Sequence, residues 1–149
     1  MTLYADDINI KIRLGPRPDK FIVVNSSVKW EDCYKKWEGD LWTTLTDLYK
    51  CAYPDQPLYL RKNRRSVFVG HLWYSCSFCS RYGLMTNDCA NCPLAHDNIC
   101  YKAIELGKFN NTLARQLYIH WTNRQKKKFL EMHEKFLEGL KKHKWEVKE

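Results

Sequence analysis

The chain lacks any run approaching the roughly 20 uncharged apolar residues of a membrane helix, so a helical spanning protein is excluded. Its opening Met1-Thr2-Leu3-Tyr4-Ala5-Asp6-Asp7 has neither a basic start nor an apolar stretch, and no secretory signal is expected there. Glycine and proline are scarce, 6 and 5 in 149 residues, which excludes collagen-like and low-complexity chains. No GxxxxGK[ST] or GxGxxG loop is present, so nucleotide binding through such loops has no support. His133-Glu134-Lys135-Phe136-Leu137 begins like the zinc-protease motif HExxH, but a leucine holds the second histidine position. The nucleobase deaminases need His-x-Glu before Pro-Cys-x-x-Cys, and neither part is in place. Acids are also in deficit, at 17 against 25 Lys plus Arg.

What is present is a hydrophobic share of 44% with 28% charged residues, the balance of a soluble globular protein. Aromatics reach 14%, enough large side chains to build a core at a length that suits one domain. Residues 8–14 alternate apolar and polar, the period of a half-buried strand. The break Gly15-Pro16-Arg17-Pro18-Asp19 and the apolar run Phe21–Val24 predict an antiparallel partner strand. After a cap at Asn25-Ser26-Ser27, the residues Trp30, Cys33, Tyr34, Trp37, Leu41, Leu45 and Leu48 predict one helix of about six turns, its stripe facing the core. Ser66–Tyr74 reads as a further strand with Gly70 as a bulge. Tyr101–Leu106 reads as a short helix ended by Gly107. A long last helix, capped at Asn110 or Asn111, runs to about Lys142 behind Leu113, Leu117, Trp121, Phe129, Met132, Phe136 and Leu140. That stripe outruns the body of a small domain and needs a partner, either the first helix or a second copy, with a homodimer through this C-terminal helix as the favoured expectation. The expected fold is α+β: a small antiparallel sheet with a Trp-rich helix, a zinc-knuckle insertion and a long C-terminal helix. Residues 1–149 form one domain, with 71–100 as a cysteine-rich metal-binding segment.

The strongest pattern is Cys76-x-x-Cys79, nine residues, Cys89-x-x-Cys92, seven residues, Cys100. A two-residue gap lets both sulfurs of a tight turn reach one ion, and two such pairs supply a tetrahedral structural zinc site. Binding requires the thiols to lose their protons. Five cysteines compete for four places, and His96 and His71 are further candidates. A closed four-thiolate site has no water to activate, so its role is structural. An iron–sulfur cluster also uses four cysteines, but the spacing fits neither ferredoxin pattern. Cys33 and Cys51 stand apart and read as core residues.

The basic excess concentrates in Arg61-Lys62-Asn63-Arg64-Arg65 and Arg124-Gln125-Lys126-Lys127-Lys128, four cations in five residues each. Such runs favour polyanions, because each neutralised phosphate releases a counterion. Arg61, Lys62, Arg64, Arg65, Arg124, Lys126, Lys127 and Lys128 are therefore the expected phosphate contacts. Without a base-reading motif, no sequence specificity is expected. A metal-dependent nuclease would need polar groups such as His71, His96, Asp97 and Asn98, of which the last three crowd into one loop.

From Cys76 through Cys92-Pro93-Leu94 to Cys100, with Trp73 upstream, the chain resembles small cysteine-cluster proteins of bacteriophages and prophages. The resemblance covers about 30 of 149 residues, and the group has no agreed activity. It implies a zinc-binding protein in the cytoplasm of a host bacterial cell. Three functions follow as expectations: a non-enzymatic nucleic-acid binder, a phage factor that inhibits a host protein or defence complex, and the nuclease.

Overall fold

A computed structural model of the chain describes residues 17–57, 60–73, 77–82, 91–100 and 112–147. Helix takes 65% of these residues and none lies in a strand. The expected α+β architecture with its antiparallel sheet is thereby overturned. The expected strand over 8–14, the short helix over 101–106 and the caps Asn110 and Asn111 lie outside the described residues.

The first stripe is carried by two helices, not one. Helix α1 (Trp30–Trp37) has Glu31 and Asp32 in its first turn and Lys35 and Lys36 in its last, matching the helix dipole at both ends. It stops where Gly39 takes φ +78°, a left-handed conformation that favours glycine. Asp40 then caps α2 (Leu41–Ala52), its carboxylate accepting from Thr43 N at 3.1 Å and Thr43 Oγ1 at 2.7 Å. A glycine stop followed by an aspartate start outweighs the continuous apolar spacing. Trp30, Cys33, Trp37, Leu41 and Leu45 are buried as expected, but Leu48 is exposed and Tyr49 takes the inward place.

Ser66–Trp73 is not a strand but most of α3 (Arg61–Trp73). Phe21–Val24 belongs to no strand among the described residues. The Asn91 side chain acts as its neighbour, accepting from Ile22 N at 2.9 Å and donating to Ile22 O at 2.6 Å. Short helices α4 (Ser77–Tyr82) and α5 (Pro93–His96) follow. The expected long final helix is a hairpin of α6 (Leu113–Thr122), capped by Thr112 through Arg115 N, and α7 (Lys126–Lys142). It breaks at Arg124, whose φ is +56°.

The α6–α7 hairpin forms the centre of the body; α1 and α2 lie on α7, α3 lies on α2 and α6, and α4 lies on α1. Trp37 sits at the middle, its ring 4.8 Å from Phe136 and 6.2 Å from Phe68. Phe129, Phe136 and Leu140 are buried and Met132 half-buried within this one chain. The stripe therefore finds cover within the chain, in α1, α2 and α6, the first helix among them. Gly139 permits close packing, since a Cβ there would lie 2.5 Å from Ile99 Cδ1.

Two histidines close the C-terminal end of α1. His71 Nε2 lies 3.2 Å from Lys36 O, and His133 Nε2 lies 2.5 Å from Trp37 O. Each imidazole N–H donates to a carbonyl that the helix itself leaves without a partner. Burial first, and then the Lys36 charge, hold the His71 pKa down to about 4 against the pull of its carbonyl bond. After α7, Trp145 donates to Val28 O at 2.6 Å and meets Phe78 edge-on at 5.0 Å, which ties the tail to α4.

Candidate nucleic-acid interface and cysteine segment

The start of α3 is fixed from below by Tyr49, whose hydroxyl donates to Pro57 O at 2.7 Å and accepts from Leu60 N at 3.2 Å. Arg64, Phe68 and His71 then share one face of α3 at the i, i+4, i+7 spacing. Phe68 meets Tyr118 at 5.5 Å and Trp121 at 6.4 Å on α6. One turn earlier, Arg64 Nη1 donates to Thr122 O at 2.5 Å, at the C-terminal end of α6. Thr122 stands two residues before Arg124. The two basic runs, about 60 residues apart in sequence, therefore meet at one end of the helical body.

Lys62, Arg124, Lys126, Lys127 and Lys128 are exposed there, with Arg64 and Arg65 half-buried. Arg61 opens α3. Both runs occupy or border the first turn of a helix, and neither first turn contains an acid. The positive end of a helix dipole favours anions by about 0.3–1 kcal/mol each, so cations placed there work against folding. Arg64 is the exception, because its guanidinium reaches the negative end of α6. The pattern costs stability and raises local positive potential. Asp40 offsets part of that potential near Lys126; its carboxyl is held below the usual range by the Thr43 side-chain and backbone bonds, with a smaller effect from Lys126.

Of the five clustered cysteines, Cys92 and Cys100 are buried and Cys79 is half-buried on α4. Cys76 and Cys89 lie outside the described residues. Asn91 also donates to Tyr82 O at 2.6 Å, so one side chain joins the end of α4, the second cysteine pair and Ile22. Val24 N and Asn25 N donate to Arg81 O at 2.7 and 3.1 Å, which repeats the join from the other side. Downstream, Ile99 N and Cys100 N both donate to Leu94 O, at 2.9 and 3.2 Å, turning the chain back behind Cys92. Among the described residues no three His, Cys, Asp or Glu side chains converge on a metal position. Soft thiolate donors suit zinc, and any set of four from these five cysteines would include at least one of Cys76 and Cys89.

Three of the four polar groups named for a nuclease, His71, His96 and Asp97, make structural contacts. The His71 ring is half-buried, edge-on to Trp37 at 4.9 Å. His96 packs against Phe21 at 5.8 Å. Asp97 Oδ1 accepts from Arg17, while Oδ2 accepts from His143 Nε2 at 2.5 Å with Lys142 Nζ at 3.8 Å. Burial pushes the Asp97 carboxyl up, but the bonds from His143 and Arg17 outweigh it and hold its pKa below the usual value. This carboxylate joins three parts of the chain. Sequence reasoning missed Asn91 and His133. Asn91 carried a faint signal, as a strong hydrogen-bonding residue inside the second Cys-x-x-Cys; His133 carried none beyond its place on the inward face of α7.

Comparison with protein-family models, curated proteins and solved structures finds no match to this chain. No helix among the described residues is long and apolar enough to cross a membrane.

Proposed function

We propose that this is a non-enzymatic nucleic-acid-binding protein that uses the joined basic runs as its contact surface. The observation that carries the reading is the Arg64–Thr122 hydrogen bond, which brings Lys62, Arg64 and Arg65 beside Arg124, Lys126, Lys127 and Lys128. Cations set against two helix dipoles are an expense that a bound polyanion relieves. The contacts are to phosphate, so affinity without strong sequence preference is expected. Structural zinc held by four of Cys76, Cys79, Cys89, Cys92 and Cys100 belongs to the same reading, ordering a segment that would otherwise bury little apolar surface. On the phage resemblance, the place of action is the cytoplasm of a bacterial host.

Binding of mixed-sequence oligonucleotides at low salt tests the reading. Neutralising Lys62 with Arg65, or Lys126 with Lys127 and Lys128, should each weaken binding at every sequence. No binding by the folded parent protein would overturn it.

A second reading, a factor that binds a host protein or defence complex, is favoured by Ile22, Val23 and Val24. These three consecutive apolar residues are 70%, 40% and 45% exposed. Among the described residues the large exposed hydrophobics are all aliphatic. A pull-down from host lysate that captures a protein equally with and without nuclease treatment would favour this second reading.

A further inference from the structure

Helix α2 runs beneath the whole basic end. Its residues Trp42, Thr46 and Tyr49, with the C-cap Tyr53, follow the i, i+4, i+7, i+11 spacing of one helix face. At one margin, the Trp42 ring meets Phe129 edge-on at 5.2 Å, and Phe129 directly follows Lys126, Lys127 and Lys128. In the middle, Thr46 Oγ1 accepts from Trp121 Nε1 at 3.3 Å, next to the Thr122 carbonyl that holds Arg64. At the other margin, the Tyr53 ring lies 5.4 Å from Tyr49, whose hydroxyl fixes the residue just before Arg61. Trp42 and Tyr53 are both half-buried, so each is anchored in the body without being fully covered by it. Eleven residues of helix separate them by about 16 Å.

We infer that the basic end takes an unpaired nucleic-acid strand, its phosphates on the two basic turns and its bases stacked on Trp42 and Tyr53. This rests on the polyanion reading above and narrows it. A duplex keeps its bases stacked inside and offers phosphates and groove edges, so partly buried rings at the margins give it nothing. Every unpaired base has a π-face, and stacking on an aromatic side chain is sequence-tolerant and worth roughly tenfold in affinity. Cations in the middle and a ring at each margin suit the strand better than the duplex.

The test is fluorescence anisotropy of labelled 12-mers: unpaired RNA, unpaired DNA, and the matching duplexes, at low salt. The parent should bind unpaired strands several-fold more tightly than duplexes. Tyr53→Leu should lose roughly tenfold on unpaired strands and nothing on duplexes, whereas Tyr53→Phe should retain parent affinity. Trp42→Phe, chosen because Trp42→Leu opens space beside Phe129, should keep most of the binding. Equal affinity for RNA and DNA, or preference for one, both support an unpaired-strand site and differ only in whether the sugar is read. Duplexes bound as tightly as single strands, with Tyr53→Leu unchanged on both, would overturn the inference while leaving polyanion binding intact. Absence of binding to all four probes would remove both.

Discussion

Lowering the pH from 7.5 to 4.5 should destabilise this protein through His71, by an amount the geometry bounds. The ring donates to Lys36 O and packs against Trp37 in the angle between α1 and α3. Its pKa is held at about 4, against 6.5 for a free imidazole. The unfolded chain therefore takes up a proton in this range that the folded chain refuses. Stability from neutral His71 is complete above pH 6.5 and is lost progressively as pH falls toward 4. The full gap corresponds to about 3 kcal/mol. Because the ring is only half-buried and water screens it, about 2 kcal/mol is expected, or about 4–8 °C in melting temperature for a chain of this size. The control is His71→Gln, whose amide can still donate to Lys36 O but does not titrate. Urea or thermal melts of both proteins at the two pH values isolate the histidine, since the remaining acids titrate equally in each. An identical pH-dependent loss in parent and variant would refute the argument.

Asn91→Ala should cost about 2 kcal/mol by chemical denaturation, because three hydrogen bonds are lost and two backbone groups of Ile22 lose their partner. A loss below about 0.5 kcal/mol would show that the join is not needed. Gly139→Ala should destabilise by about 1 kcal/mol despite alanine's better helix propensity, and Ile99→Val, which removes the clashing Cδ1, should restore it in the double variant. Purified protein should carry close to one zinc per chain by elemental analysis, and chelation should lower its melting temperature. Iron in place of zinc, or a full-stability metal-free protein, would contradict the staple.

Much of the core was legible from spacing alone: Trp30, Cys33, Trp37, Leu41, Leu45, Leu117, Trp121, Phe129, Phe136 and Leu140 all point inward. Where helices end was harder to read. The apolar period ran unbroken across Gly39-Asp40 and resumed after an interruption over Arg124 to Lys128, yet a positive-φ residue at each place turns the chain. The Ser66–Trp73 segment misled because Val67-Phe68-Val69 has the composition of a strand, and such propensity yields to context. Its helical period is carried by Arg64, Phe68 and His71, two of which are polar and find partners only in the folded chain. Asp97 and Asn91 hold distant parts together through contacts that no local pattern announces. Both basic runs were legible as sequence; their meeting at one end depends on the angle of α3 against α6, which is a property of packing.

The most direct measurement of the central claim is the salt dependence of single-strand binding. With about six phosphates neutralised by the joined runs, log Kobs against log salt should fall with a slope of about −4. In Lys126→Ala/Lys127→Ala/Lys128→Ala the slope should shrink by about 2, because three contacts are removed at roughly 0.7 each. A parent slope near zero, or the same slope in parent and triple variant, would contradict a polyanion site at this end of the molecule.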